Sequence, residues 1–218
     1  NAGFISTGQF NKFTKLEKLL ITSIKDSIKN LSVKVNDKNT LIIISTTKGN
    51  IDYIDRPKSD TVRLWSISNK IKNHFKCINT PVLVSNACIS GTLAVLIGLT
   101  LLRQTGKYKT IIITAGDIIT DFVISGFHAL KALSPGYCKP FDKNRDGLNP
   151  GEGAASLVLT TDESFTGGND IKVIAGSSSN DANHITGPSK TGQELFMTIK
   201  NTCPGIESGT SKIDSIMA

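Results

Sequence analysis

A single cysteine stands at the join between two apolar runs. Residues 81–102 read PVLVSNACISGTLAVLIGLTLL. A strand-like stretch ends in Ser85-Asn86-Ala87-Cys88, and a helix-like stretch follows at once. A strand that passes directly into a helix turns sharply at the carboxyl edge of a sheet, where open α/β sheets bind their ligands. Placed at the first turn of that helix, Cys88 is expected to feel the partial positive charge of the helix terminus, which favours a thiolate. The free N–H groups there can hold an oxyanion. The layout is the thiol counterpart of a nucleophile elbow, although Gly-x-Ser-x-Gly itself is absent. Gly91, three residues on, is expected to allow close packing or approach of a substrate. The competing reading is a buried structural thiol at a tight turn. A reactive cysteine needs a base or cationic neighbour, and none is adjacent in sequence. Of the three histidines, His184 follows Asp181 in a polar loop and is the best local candidate for a site residue. His74 reads as a surface residue at a polar helix end, and His128 as a hydrogen-bonded core residue.

A second stretch imitates a metal loop. PFDKNRDGLNPGEG, residues 140–153, carries Asp142, Asn144, Asp146 and Gly147 at the spacing that opens an EF-hand. The twelfth position requires Glu but holds Gly153, Glu152 falls one place early, and a strand replaces the exit helix, so calcium is rejected. A hydrogen-bonded loop is expected instead. Asp142 and Asp146 would bind backbone N–H groups or Arg145, and Gly147, Gly151 and Gly153 would permit turns or close approach.

The elements that must hold these residues follow from periodicity. Residues 14–30 place Leu16, Leu19, Leu20, Ile24 and Ile28 at helical spacing behind a Thr14 cap. The runs 41–46, 82–85 and 110–116 are short, apolar and rich in β-branched residues, as buried strands are. Helices are expected over 62–75, 88–104, 125–133 and 191–201, with further strands over 153–160, 171–178 and from 212 onward. Alternating strands and helices imply βαβ units and a largely parallel sheet covered on both faces. The organisation expected is a tag-remnant dipeptide at 1–2, a first α/β half over 3–161, and a connector with the start of a second half over 162–218.

Composition narrows the class. The chain has 218 residues, 39% hydrophobic and 20% charged, which is globular rather than disordered. Four scattered cysteines, Cys77, Cys88, Cys138 and Cys203, form neither a Cys-x-x-Cys pair nor a zinc spacing. With no signal-peptide pattern, they point to a reducing, cytoplasmic setting. No unbroken apolar run of membrane-spanning length is read, so no membrane partner is expected. The net charge of +7 comes from lysines spread along the chain without interleaved aromatics, which argues against nucleic acid and leaves an acidic protein partner open.

Taken together, the blocks resemble one family. SNACISG resembles the nucleophile motif of the β-ketoacyl-acyl carrier protein synthases. AGD at 115–117, SGFHALKALS, PFDKNRDGLNPGEGAASLVL and SSSNDANHITGPSKTGQEL resemble the signatures that follow it, and ISTTKGN at 44–50 resembles the upstream strand and loop. The order is the family's from about residue 14 to 218. The resemblance implies a thiolase-like fold, an αβαβα layered sandwich present here as an incomplete piece. It implies a type II condensing enzyme of fatty-acid or polyketide biosynthesis. Cys88 would take an acyl group from acyl carrier protein, and its N–H would supply half an oxyanion hole. Decarboxylation of a malonyl carrier thioester would then generate the carbanion that attacks the acyl group. Phe127 matches a position near the acyl pocket, and Asp181 and His184 match an Asp-Ala-x-His-x-Thr stretch close to the site. No cofactor is implied beyond the phosphopantetheine of the carrier, and the assembly implied is a homodimer, or a heterodimer with a related subunit, through residues 81–86.

Departures from the pattern accompany the resemblance. The family's two further histidines and lysine come later than Ala218, and its opening strand precedes the first block, so the 218 residues are expected to be an internal piece, inactive alone and prone to self-association. Pro150 departs mildly within LNPGEG. The alternatives are a thiolase-like thioester transferase, against which the long PFDKNRDG block argues, and a non-catalytic chain-length subunit, against which Cys88 argues.

Overall fold

In the computed structural model, residues 12–56, 60–104, 106–165, 170–181, 191–210 and 213–215 are described. The chain divides into two compact units, 1–166 and 167–218. The first is built on four strands. Helix α1 (Lys15–Ile28) precedes strand β1 (Thr40–Ser45), helix α2 (Leu64–Phe75) precedes β2 (Val82–Val84), and α3 (Ser90–Gln104) precedes β3 (Thr110–Asp117). Helix α4 (Asp121–Ala129) and a long loop then lead to β4 (Gly153–Thr160). The sheet order is β2-β1-β3-β4.

Strand parity explains the layers. Successive strand residues face opposite sides. Ile42, Ile44 and Ile112 therefore meet Leu16, Leu20, Ile21 and Ile24 of α1 and Ile67 and Ile71 of α2. Leu41, Ile43, Ile111 and Ile113 meet Ala94 and Leu102 of α3 on the other face. Each wholly buried Leu or Ile contributes about 1.5–3 kcal/mol, so these two clusters fix the order of the layers. The glycine that lets α3 lie close to the sheet is Gly98, where a Cβ would come 3.1 Å from Ile113 Cδ1 and 3.2 Å from Leu159 Cδ1. At Gly91 a Cβ would find only Ala115 at 3.9 Å, an ordinary contact, so the packing role expected of Gly91 belongs to Gly98.

The sheet is largely parallel, as expected, while several other expectations need correction. The strands β2, β1 and β3 are parallel, but β4 runs antiparallel to β3, with Asp117 opposite Gly153 and Thr110 opposite Thr160. A nine-residue α4 spans only about 13 Å, and the loop after it brings the chain back to the edge it left. Helix α4 also begins earlier than expected, because Thr120 caps it by accepting from the Val123 N–H at 3.2 Å. It ends at Ala129 because Lys131 takes φ +52 and the chain turns to pair Leu133 with Leu148. By length and composition the window Ala87–Gln104 is apolar enough to cross a membrane, although Gly91, Thr92, Gly98, Thr100 and Arg103 interrupt it, as read from the sequence. Its Ala94 and Leu102 are packed on the sheet, the position of a core helix.

In the second unit, helix α5 (Gln193–Thr202) forms as expected, but 171–178 is not a strand. Ser177 donates its hydroxyl to the Thr198 carbonyl at 2.6 Å and Ser179 to the Glu194 carbonyl at 2.7 Å, tying the segment along α5 instead of into a ladder. Residues 213–215 are not a strand either, and the rest of that predicted strand lies outside the described residues.

Candidate active site

Cys88 lies four residues beyond the last residue of β2 and two before the first of α3, with its side chain exposed. It is thus in the turn that feeds the helix rather than in the helix's first turn, and it is not the buried thiol of the competing reading. The turn is tight because Ala87 adopts φ +43, a left-handed conformation that costs an L-residue about 1–2 kcal/mol. Such strain persists only where the surroundings over-determine it. Ser90 supplies that constraint. Its hydroxyl accepts from the Asn86 N–H at 2.8 Å and donates to the Ala87 carbonyl at 2.6 Å. The N–H groups of Ile89 and Ser90 close the turn onto the carbonyls of Asn86 and Ala87 at 3.2 and 3.3 Å.

The carboxyl edge around this elbow is laced together. Asp117, the last residue of β3, accepts three hydrogen bonds on one oxygen, Oδ1. The donors are Thr46 Oγ1 at 2.8 Å, the Thr47 N–H at 2.9 Å and Thr47 Oγ1 at 3.0 Å. The Thr46 N–H donates to the Val84 carbonyl at 3.2 Å, and Ser85 Oγ donates to the Thr47 carbonyl at 3.1 Å. Behind the same loop lies a buried polar cluster. Glu17, fully buried, accepts from Lys70 Nζ at 3.0 Å, from Asn50 Nδ2 at 2.9 Å and from the Thr14 N–H at 2.9 Å. Thr14 and Glu17 form a complete capping box on α1.

The loop 133–149 is internally bonded, as expected, with Asp142 on a backbone N–H and Asp146 on side-chain partners. Asp146 accepts from Ser134 Oγ at 2.8 Å and pairs with Lys139 at 3.5 Å, and these hold its carboxyl below the usual range. Asp142 accepts from the Asn144 N–H at 2.6 Å. Arg145 reaches the Asp142 backbone carbonyl at 3.1 Å, not a carboxylate. Gly147 is the glycine the loop requires, with φ +145 and a Cβ position only 2.4 Å from Leu133 C and Ser134 N. Gly151 and Gly153 have nothing within 4 Å of that position, so no close approach depends on them. Glu152 instead binds Lys15 at 2.5 Å and the Ile119 N–H at 3.2 Å, which lower its pKa and tie α1 to both ends of the α4 excursion.

The predicted site residues separate. Phe127 is half-buried in α4, beside the exposed His128, which is therefore not a core residue. Asp181 is half-buried in the second unit, and His184 lies outside the described residues. His74 is half-buried at the end of α2, packed edge-on against Phe13 at 5.3 Å and Phe75 at 4.8 Å, rather than on the open surface. Burial, with Lys25 and Lys12 nearby, lowers its pKa. Because α2 leads into β2, His74 sits at the amino edge of the sheet, opposite the Cys88 elbow. Among the described residues no cluster of three His, Cys, Asp or Glu side chains is able to hold a metal ion. The Asp117 clamp escaped sequence reading, although Thr46-Thr47 and Asp117, each directly after or at the end of a strand, mark its position.

Residues 61–165 match the family described as "Beta-ketoacyl synthase, N-terminal domain". Over residues 61–165, just under half its length, the chain thus carries a segment of the β-ketoacyl synthase N-terminal-domain family. The chain is 29% identical over 158 residues to a phenolphthiocerol/phthiocerol polyketide synthase of Mycobacterium tuberculosis, covering 70% of the chain and 8% of that relative. The chain thus spans less than a tenth of the length of such curated relatives. Among solved structures, the ishigamide ketosynthase/chain length factor superposes with a TM-score of 0.75 at 18% identity, over 95% of this chain and 56% of the other. A ketosynthase in complex with its chain length factor from Xenorhabdus doucetiae gives 0.68 at 22% identity, over 91% and 52%. These likenesses establish a partial thiolase-like fold for the chain.

Proposed function

We propose that this chain carries the acyl-accepting cysteine of a condensing enzyme in polyketide-type biosynthesis, with fatty-acid synthesis as the alternative. The observation that carries the reading is Cys88, exposed on a strained elbow between a parallel strand and the N-terminus of a fifteen-residue helix. A thiolate there attacks the carbonyl of an acyl thioester carried on the phosphopantetheine of acyl carrier protein. The tetrahedral oxyanion is held by the Cys88 N–H, since those of Asn86, Ile89 and Ser90 are spent within the turn. Its collapse expels the carrier thiol and leaves an acyl-Cys88 thioester. A malonyl carrier thioester then loses carbon dioxide, and the resulting carbanion attacks the acyl group, releasing the Cys88 thiolate and a β-ketoacyl carrier thioester. Phe127 borders the acyl chain, and the Asp181–His184 stretch resembles the family's Asp-Ala-x-His-x-Thr sequence. The residues 1–218 alone catalyse no full condensation, because none of His74, His128 and His184 matches the family's proton-handling histidines.

The partners proposed are acyl carrier protein, drawn to the basic chain, and a second ketosynthase-like subunit, the same or related. The edge position of β2 in the sheet supports pairing through residues 81–86. No cofactor is proposed beyond the carrier's phosphopantetheine, and the setting is cytoplasmic. The test is acylation from a simple acyl N-acetylcysteamine thioester, followed by intact mass and peptide mapping. One acyl group should appear on Cys88 and none on the Cys88→Ala variant. Buried Cys77, whose thiol burial pushes up, should stay unmodified. Label spread evenly over Cys138 and Cys203 with none favoured at Cys88 would sink the reading.

A further inference from the structure

We infer that Asp117 is a positioning residue for Cys88, acting through the Thr46-Thr47 turn and Ser85; this rests on the reading of Cys88 as the acyl acceptor. Asp117 acts at one remove from the elbow. Its Oδ1 alone gathers three donors from two consecutive threonines, at 2.8, 2.9 and 3.0 Å. Those threonines in turn grip the end of β2 from two sides. The Thr46 N–H reaches the carbonyl of Val84, and the Thr47 carbonyl receives the hydroxyl of Ser85, at 3.2 and 3.1 Å. Ser85 is the residue from which the elbow departs, and three residues later comes Cys88. The strained φ of +43 at Ala87 must be held from both ends. Ser90 holds it from the helix side at 2.6 Å. Ser85 holds it from the strand side, and Asp117 fixes the acceptor of the Ser85 hydroxyl. The three parallel strand ends are thereby joined at one point, which lets β3 set where the nucleophile of β2 stands.

The geometry specifies which substitution spares the function. All three donors converge on one oxygen, so an amide oxygen can replace it. Asp117→Asn should therefore acylate Cys88 within about three-fold of the wild-type rate, whereas Asp117→Ala should be slower by about 10- to 100-fold, the scale of an ångström-level displacement of a reacting group. The loss should fall on the limiting rate of acylation by an acyl N-acetylcysteamine thioester, with half-saturation little changed, and alkylation of Cys138 by iodoacetamide should not move. Ser85→Ala should slow acylation in the same way, and the Asp117→Ala/Ser85→Ala double variant should be no slower than the worse single one. Wild-type acylation with an unaffected Asp117→Ala overturns the inference and leaves the cysteine reading intact. An Asp117→Asn variant as slow as Asp117→Ala also overturns it, since charge and not placement would then matter. If Asp117→Ala fails to fold, Ser85→Ala decides: slow acylation with an unchanged melting temperature supports the positioning chain, and a wild-type rate refutes it. No acylation of wild-type Cys88 removes both readings together.

Discussion

Glu17 offers the sharpest test of how the first unit is held. Its carboxylate is fully buried, and each oxygen has two donors. Oε2 receives the Thr14 N–H at 2.9 Å and Lys70 Nζ at 3.1 Å, and Oε1 receives Asn50 Nδ2 at 2.9 Å and Lys70 Nζ at 3.0 Å. Glu17→Ala strands the Thr14 N–H in a buried setting, at about 1–3 kcal/mol. Asn50 loses less, because Nδ2 keeps the Thr61 carbonyl at 3.1 Å. Lys70 loses its partner but has a side chain 32% exposed and can turn to water. The total is about 2–4 kcal/mol, most of it from the stranded donor and the lost hydrogen bonds to a charged group. At about 2–4 °C per kcal/mol for a chain of this size, the melting temperature should fall by about 10 °C. Glu17→Gln keeps the shape and one acceptor and should cost about 1–2 kcal/mol. Urea unfolding followed by the single tryptophan, Trp65, reads this directly, because Trp65 lies on α2, the helix that carries Lys70. A Glu17→Ala chain with an unchanged urea midpoint would refute the claim that this cluster anchors α1 and α2 to the loop behind the elbow.

Two further outcomes are expected. Gly147→Ala places a Cβ 2.4 Å from the backbone of Leu133 and Ser134. It should open the 133–149 loop, so that trypsin cuts faster at Lys143 and Arg145, while Gly151→Ala, with nothing within 4 Å, should leave the digestion rate unchanged. His74 should make stability depend on pH. Its folded pKa is depressed by burial and by Lys25 and Lys12, so the folded chain binds fewer protons than the unfolded one. The contribution is fully present above the unfolded value of 6.5 and is lost as pH falls through the lowered folded value. His74→Phe, which keeps the stack between Phe13 and Phe75, should flatten the decline in melting temperature between about pH 7 and pH 5, and a decline identical to wild type would assign it elsewhere.

The elements with strong periodicity were legible from the residues. LIIIS, VLV and TIIITAGD are strands because consecutive Ile and Val bury both faces of a sheet covered twice. Thr14 and Glu17 announce α1 by the local geometry of a capping box, which needs nothing from afar. The Cys88 turn was legible for the same reason, since its strand, bend and helix are contiguous in the chain. What failed depended on partners distant in sequence. The segment 171–178 has a strand's composition, yet a ladder needs a neighbouring strand, and the Ser177 and Ser179 hydroxyls found α5 instead. The direction of β4 was set by the length of α4 and the closure of Leu133 on Leu148, neither visible in GAASLVLT itself.

The sequence by itself therefore determined the candidate residue, Cys88, and the kind of element on either side of it, because a cysteine at a strand–helix turn is a local arrangement. Tertiary structure alone decided what supports that turn. Asp117 is 29 residues from Cys88, and Thr47 is 70 residues from Asp117. No spacing rule relates them, and only the parallel pairing of β1 with β2 and β3 brings their carboxyl ends to one edge, where a single carboxylate oxygen can hold the turn on which the strand before Cys88 ends.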